Sequence, residues 1–350
     1  MNIHEKYISR CLQIALNGLG TTAPNPMVGA VITHGDHIIG EGYTSPFGGP
    51  HAEVRAIRSV SDPSLLKKAT LYVTLEPCCH HGKTPPCTDL ILEMGIPRVV
   101  IGTQDPHEKV GGRGIDKLRE HGCEVNTGVL GDACREHHRR FITYHEKKRP
   151  YVILKWAQSC DGFMAPPRHL RESSPEPFWI SGKASRQLVH QWRSEEGAIL
   201  VGTRTALEDN PRLNSRYWNG RSPLRVLIDR ELKVPEHFHL LDGTEDTLIF
   251  CKAGIIPENR GKIHYKGIKK KSEPVEEILH SLWESEVLSV LVEGGAHTLN
   301  SFINSGLWDE ARIIEGISFL GSGLEAPALK GNLLREWTLE NDRIRIVRND

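Results

Sequence analysis

At 350 residues the chain is long for one domain and comfortable for two, each large enough to bury its own core. Its 44 basic residues balance 44 acidic ones, so no basic excess argues for a grip on a nucleic-acid backbone. Eight irregularly spaced cysteines do not form the pattern of a secreted disulfide framework, and no apolar run approaches the roughly 18 residues of a membrane span.

Residues 4–17 place Tyr7, Ile8, Cys11, Leu12, Ala15 and Leu16 on one helical face, with Asn17-Gly18 as the stop. Glu5, Gln13 and Asn17 interrupt its apolar residues, so this is no signal-peptide core, and the expected compartment is the cytoplasm. Val28–Ile32 and His37–Gly42 read as a hairpin. A helix over His51–Val60, a strand over Leu71–Leu75, a helix over Cys87–Met94 and a strand over Arg98–Gly102 follow. Helices at Ile115–His121 and Asp132–Tyr144 flank a short strand at Glu124–Val129. This alternation predicts an α/β layer on a mostly parallel sheet.

The polar run His145-Glu146-Lys147-Lys148-Arg149-Pro150 sets a domain boundary near 146, giving domains 1–146 and 147–350. The second half opens on a buried-looking strand, Tyr151–Trp156, and keeps its own rhythm. Ser185–Ser194 and Val275–Glu286 read as helices; Ala198–Gly202, Leu224–Asp229, Leu248–Cys251 and Val287–Glu293 read as strands. Lys269-Lys270-Lys271 is read as a solvated loop or helix end.

The chemistry is concentrated in His51, Glu53, Cys78 and Cys87. One imidazole and two thiolates make a three-ligand set for zinc, leaving a fourth position open, as a catalytic rather than a structural site requires. Glu53, two residues past the histidine, is placed to shuttle protons for water activated there; this His-x-Glu … Pro-Cys order is the signature of zinc deaminases. Cys87 follows Pro85-Pro86 at a helix mouth, where thiolate is favoured. Cys79 competes with Cys78 as a ligand; the residue directly after Pro77 fits the signature, so Cys78 is chosen. Cys79, His80 or His81 as a fourth ligand would instead close the site and leave Glu53 without a role.

Asn25-Pro26-Met27-Val28-Gly29-Ala30, His51-Ala52-Glu53-Val54, Thr74-Leu75-Glu76-Pro77-Cys78 with His80, and Gly82-Lys83-Thr84-Pro85-Pro86-Cys87 resemble the bifunctional riboflavin-biosynthesis deaminase/reductase family. The likeness runs on through Asp105-Pro106, Gly112-Arg113-Gly114-Ile115, Leu154-Lys155, Asp161-Gly162, Trp179-Ile180, Asp209-Asn210-Pro211 and Val292-Glu293-Gly294-Gly295, over nearly the whole chain. It implies a cytidine-deaminase-like three-layer domain followed by a dihydrofolate-reductase-like domain. The first would hydrolytically deaminate a phosphoribosylated diaminopyrimidine with one Zn2+, and the second would reduce the ribosyl group to ribityl with NADPH. The family also implies a homo-oligomer acting on a small molecule; the balanced charge and the lack of a long apolar run leave no nucleic-acid or membrane partner expected.

By the same resemblance Asn25, His80, Lys83 and Thr84 would hold the pyrimidine and its ribose phosphate. In the second half Arg193, Leu213, Arg216 and Glu293 would contact substrate. Lys155, Ala157, Trp179, Thr205, Asp209 and the run Gly295, Ala296, His297, Thr298, Leu299, Asn300 and Ser301 would line the cofactor; by its own chemistry Lys155 is either a group that polarises the sugar or a buried-strand lysine paired to a carboxylate. The residues themselves say less here: there is no Gly-x-Gly-x-x-Gly, and Gly294-Gly295, after a strand at a predicted helix start, reads as a phosphate cradle or, as a lone Gly-Gly more often is, a plain turn. Phe163 replaces the family's Lys or Arg after Asp161-Gly162, and Pro177 replaces a small hydroxyl residue. Two other readings stand beside this one: a deaminase of another nucleotide or base with residues 147–350 as a binding module, and a non-enzymatic scaffold around a structural zinc.

Overall fold

The computed structural model describes residues 2–80, 85–107, 111–171, 175–269 and 274–349, and the chain divides into two units, Met1–Lys148 and Arg149–Asp350. No helix among the described residues is long and apolar enough to cross a membrane.

The first unit begins with α1 (Ile3–Ala15), whose start is fixed by a capping box between Asn2 and Glu5. The hairpin β1 (Gly29–His34) and β2 (His37–Tyr43) leads to α2 (Ala52–Arg58), β3 (Thr70–Leu75), α3 (Cys87–Glu93) and β4 (Arg98–Thr103). Then come α4 (Arg113–Glu120), β5 (Glu124–Thr127), α5 (Gly131–His137) and α6 (Arg139–Lys147). The sheet order is β2-β1-β3-β4-β5. β1 is antiparallel to both neighbours and only β3–β4–β5 run parallel, so this sheet is mixed rather than mostly parallel. Strand alternation sends Val31, Tyr72 and Val100 to one face, against Tyr7, Ile8 and Cys11 of α1 and Cys134 of α5. Their neighbours Ala30, Ile32, Leu71 and Val73 are buried on the opposite face, completing three layers. The single helix expected over Asp132–Tyr144 is two, because buried His138 leaves helical geometry and turns its Nε2 to within 3.1 Å of Thr74 Oγ1.

In the second unit β6 (Tyr151–Gln158), β7 (Phe163–Ala165), α7 (Lys183–Glu195), β8 (Ala198–Gly202), α8 (Thr203–Asp209) and β9 (Leu224–Ile228) come first. They are followed by β10 (Thr247–Lys252), β11 (Ile263–Ile268), α9 (Val275–Glu284), β12 (Ser289–Val292) and α10 (Ala296–Ser305). The chain closes with β13 (Glu310–Glu315), β14 (Leu324–Glu325), β15 (Asn332–Leu339) and β16 (Asp342–Arg348). The large sheet runs β11-β10-β9-β8-β12-β6-β13-β16-β15, parallel except where β16 pairs with β13 and β15. One face packs on α9 and α10 through Ile278, Leu282, Leu299 and Phe302; the other packs on α7 and α8 through Val189, Trp192 and Ala206. At the start of β6, Arg149 forms a buried two-pronged ion pair with Asp309, at 2.5 and 2.8 Å.

Candidate metal centre and second-unit cleft

Helix α2 is seated on β2 through glycine. A Cβ on Gly42 would lie 2.4 Å from both the Ala52 carbonyl oxygen and the Ala56 nitrogen, so backbone rests on backbone and the helix start is fixed against the sheet. His51 is the N-cap of this helix and Glu53 lies in its first turn, only 4% exposed. Gly42→Ala should push α2 outwards, at a cost of about 1–3 kcal/mol. Thermal unfolding and zinc analysis after gel filtration check this; an unshifted melt with full zinc would refute the tight seat.

Cys78 lies just beyond β3 and Cys87 is the first residue of α3. His51 Nδ1 stands 3.6 Å from Cys78 Sγ and 3.3 Å from Cys87 Sγ, and the three ligand atoms lie within 4.8 Å of one another. Ordinary Zn–N and Zn–S bonds in a tetrahedron place ligand atoms about 3.5 Å apart, so the triangle has the size zinc requires. No other His, Cys, Asp or Glu cluster among the described residues has this form. Cys79 stands outside it, half-buried, with its thiol pushed up by burial.

The Cys87 N–H, at the start of α3, donates to Cys78 Sγ at 3.3 Å. Hydrogen bonding from Cys87, aided by His51, brings the Cys78 thiol down to about 4, whereas the Cys87 thiol moves up through its contact with Cys78. The helix-terminus effect expected at Cys87 is thus delivered to Cys78. Burial pushes the Glu53 carboxyl up to about 7, the range in which a group both takes and returns protons at neutral pH.

Glu76 organises the rim. Its buried carboxylate accepts N–H groups from Asp105, Gly112, Gly114 and Ile115 at 2.9–3.3 Å, fastening the Asp105-Pro106 turn and the start of α4 beside the Cys78 segment. His107 then stacks 6.1 Å from His80, which is exposed, and meets His145 edge-on at 4.7 Å. Asn25 is half-buried in the loop before β1. Lys83 and Thr84 lie outside the described residues. The role of Glu76 was not legible, because its four donors come from 29 to 39 residues downstream.

The second unit holds a cleft of about 300 Å³. Of the residues singled out in the sequence, Lys155, Ala157, Trp179, Thr205 and Asp209 line it, and so do Arg193, Leu213, Arg216 and Glu293. Pro177 is also in its wall, whereas Phe163 is in β7, paired to β14. Arg193 directs its fork at Glu293, at 2.7 and 2.9 Å, and gives a third hydrogen bond to the Asn214 carbonyl. Lys155 Nζ stands 3.6 Å from the same carboxylate. Burial opposes ionisation of Glu293, but Arg193 and Lys155 overcome it and hold the carboxyl at about 2; burial lowers Lys155. Arg216 bonds the Asn214 side chain and lies over the Tyr217 ring.

Gly295 to Ser301 are not among the cleft-lining residues. Gly295 caps α10, and its N–H donates to the cleft residue Thr205 at 2.6 Å. A Cβ on Gly294 would come within 2.8 Å of the Gly202 nitrogen, so the starts of α8 and α10 meet as bare backbone. Such a cradle fits a dinucleotide phosphate. Ala296 and Leu299 point into the core, His297 is exposed, and Thr298, Asn300 and Ser301 are half-buried. Sequence reasoning missed His190, buried in the cleft wall edge-on to Tyr217 at 4.8 Å and pushed down to about 4 by burial. Its spacing of three from Arg193 on one helix was the signal available.

Residues 1–103 match the cytidine and deoxycytidylate deaminase zinc-binding region, and residues 150–349 match the RibD C-terminal domain. The second match disfavours a deaminase with a mere binding module. The riboflavin biosynthesis protein RibD of Aquifex aeolicus is 40% identical over 92% of this chain and 89% of its own length; that of Bacillus amyloliquefaciens is 39% identical over 93% and 88%. A crystal structure of a diaminohydroxyphosphoribosylaminopyrimidine deaminase/5-amino-6-(5-phosphoribosylamino)uracil reductase from Thermotoga maritima is similar at 37% identity, with a TM-score of 0.88 and 99% of each chain covered. Acinetobacter baumannii RibD gives the same TM-score and coverage at 31% identity. With a zinc-sized triangle in one unit and a cation-walled cleft in the other, the chain belongs to the RibD family of bifunctional riboflavin-biosynthesis enzymes, whose cofactors are Zn2+ and NADPH.

Proposed function

We propose that residues 1–146 deaminate 2,5-diamino-6-(5-phosphoribosylamino)pyrimidin-4(3H)-one and residues 147–350 reduce the resulting uracil's ribosyl group to ribityl with NADPH, in a cytoplasmic homo-oligomer. The convergence of His51, Cys78 and Cys87 beside buried Glu53 carries the first half. These three residues would hold the zinc, which when bound would lower the pKa of water from about 15.7 towards 7. Glu53 takes a proton from the attacking water and returns it to the exocyclic nitrogen, which leaves as ammonia, while the second water proton passes to the neighbouring ring nitrogen and the ring carbon becomes a carbonyl. Asn25 and His80, with Lys83 and Thr84, orient the base and its ribose phosphate.

In the second half the cradle at Gly294-Gly295 and the wall residues Ala157, Trp179, Thr205 and Asp209 hold the dinucleotide. Arg193, Leu213, Arg216 and Glu293 hold the substrate. NADPH, when bound, would supply the hydride for the reduction; Lys155, kept in place by Glu293, would provide positive charge beside the ribosyl ring oxygen, which takes up a proton from solvent as the ring opens.

A coupled assay tests the whole reading. The purified chain, given the diaminopyrimidine, should release one ammonia per substrate and then oxidise one NADPH. Absence of NADPH oxidation with authentic deaminated intermediate would remove the reductase assignment; absence of ammonia release from the zinc-loaded protein would remove the deaminase one.

A further inference from the structure

We propose that Arg171, in the segment after β7, is a positioning residue for NADPH: it ties the cleft wall that carries Trp179 to the helix that carries Asp209. The proposal rests on the reading of the second unit as an NADPH-dependent reductase. Arg171 Nη1 lies 2.9 Å from Glu208 Oε2, and Nη2 lies 2.8 Å from Asp209 Oδ1. Nη2 also donates to the Glu176 carbonyl oxygen at 3.3 Å. The Arg171 side chain is only 14% exposed.

Each contact acts on a different part of the cleft. Glu176 leads directly into Pro177, Phe178 and Trp179, which line the cleft without belonging to any helix or strand. Pro177 has no N–H with which to fasten that run. Trp179 is half-exposed, with the Arg186 guanidinium 4.6 Å from its ring. The bond from Arg171 to Glu176 is therefore an anchor immediately upstream of the wall.

The other two contacts are electrostatic. Glu208 and Asp209 end α8, where the helix dipole is already negative. Asp209 faces the cleft, and the cleft is to receive a cofactor carrying several phosphate charges. Arg171 neutralises this end of the helix. Burial pushes the Asp209 carboxyl up and Arg171 counters it, which agrees with the geometry. Only a guanidinium offers a planar fork able to serve two carboxylates and a carbonyl together; a lysine at 171 would keep the charge but lose the span.

The test uses the full chain with authentic 5-amino-6-(5-phosphoribosylamino)uracil and NADPH. Arg171→Gln should raise the KM for NADPH about tenfold while kcat falls less than about threefold, since one charge-assisted contact set is lost. Ammonia release should be unchanged. The KM difference should shrink as salt is raised, because the uncovered carboxylates repel the cofactor through screened charge. Arg171→Lys should fall between, at about threefold, and it also covers the case in which the glutamine variant fails to fold. A wild-type KM for NADPH in both variants overturns the proposal, as does a loss confined to kcat or to thermal stability. Wild-type protein that oxidises no NADPH would instead defeat the reductase reading, and the positioning role with it.

Discussion

Glu53→Gln should cut ammonia release by about 10²- to 10⁴-fold while leaving zinc content unchanged, the loss expected when a positioned general acid–base is removed. Glutamine has the same size and is neutral, so it fits a site where the carboxyl is 4% exposed. The ligands stand on the N-cap of α2, just beyond β3 and at the start of α3, so these elements set their places; the Glu53 carboxyl touches Cys87, a contact that a glutamine side chain of the same size can keep. What disappears is the ability to accept a proton from water and hand it on to the departing nitrogen. Supplied with the deaminated intermediate, the variant should oxidise NADPH at the wild-type rate, because that chemistry is assigned to the other unit. Metal analysis and ammonia release decide the matter; turnover within tenfold of wild type would take Glu53 out of the mechanism.

Glu293→Ala should destabilise the second unit by about 3–5 kcal/mol and abolish NADPH oxidation, because it strands two buried cations. Arg193 and Lys155 both depend on this one carboxylate, and all three side chains are no more than 14% exposed. All seven tryptophans lie beyond residue 149, so their fluorescence follows the unfolding of this unit by itself. That matters in a chain of two units, where a single unfolding free energy is not defined. The pH dependence has a definite sign. Glu293 is held at about 2 in the fold against an ordinary value of 4.5, so its contribution is complete above about pH 4.5 and fades as pH falls towards 2. The gap in denaturant midpoint between wild type and variant should narrow over that window. An equal midpoint at pH 7 would show that the ion-pair cluster does not hold the cleft together.

The metal site was legible because its signals are local. A histidine and a glutamate two apart at a helix start, and two cysteines framing a proline-rich turn, need only short-range geometry to be recognised. Cys78, rather than Cys79, could be chosen from the signature, and the geometry places Cys78 with His51 and Cys87. What was not legible depends on distant partners. Glu76 is one more acidic residue in a motif until four amides from the 105–115 region are seen to close on it. Arg171 is a surface-looking arginine until Glu208 and Asp209 fold back to it.

Elements of the second unit were missed for other reasons. β13 carries Glu310 and Arg312, which do not read as buried strand residues, yet Arg312 is buried against both Glu310 and Glu196. β15 is largely exposed, an edge strand without the one-sided burial that periodicity detects. α8 spans seven residues, too few to show a helical period. Periodicity did find β6, β8, β9 and β12, whose apolar runs are buried on both faces.

The meeting of bare backbone at Gly202 and Gly294 follows from how the second unit is wound. After β8 the chain crosses by α8 to β9 on one side of the sheet order, and after β12 it crosses by α10 to β13 on the other. β8 and β12 are neighbours, so the connections diverge between them and open a crevice at their carboxyl ends, a topological switch point. Strand order alone thus opens a crevice at the site proposed for the dinucleotide, and the side chains along its wall refine that site. Pro177 and its neighbours Phe178 and Trp179 line the wall of a cleft in this unit.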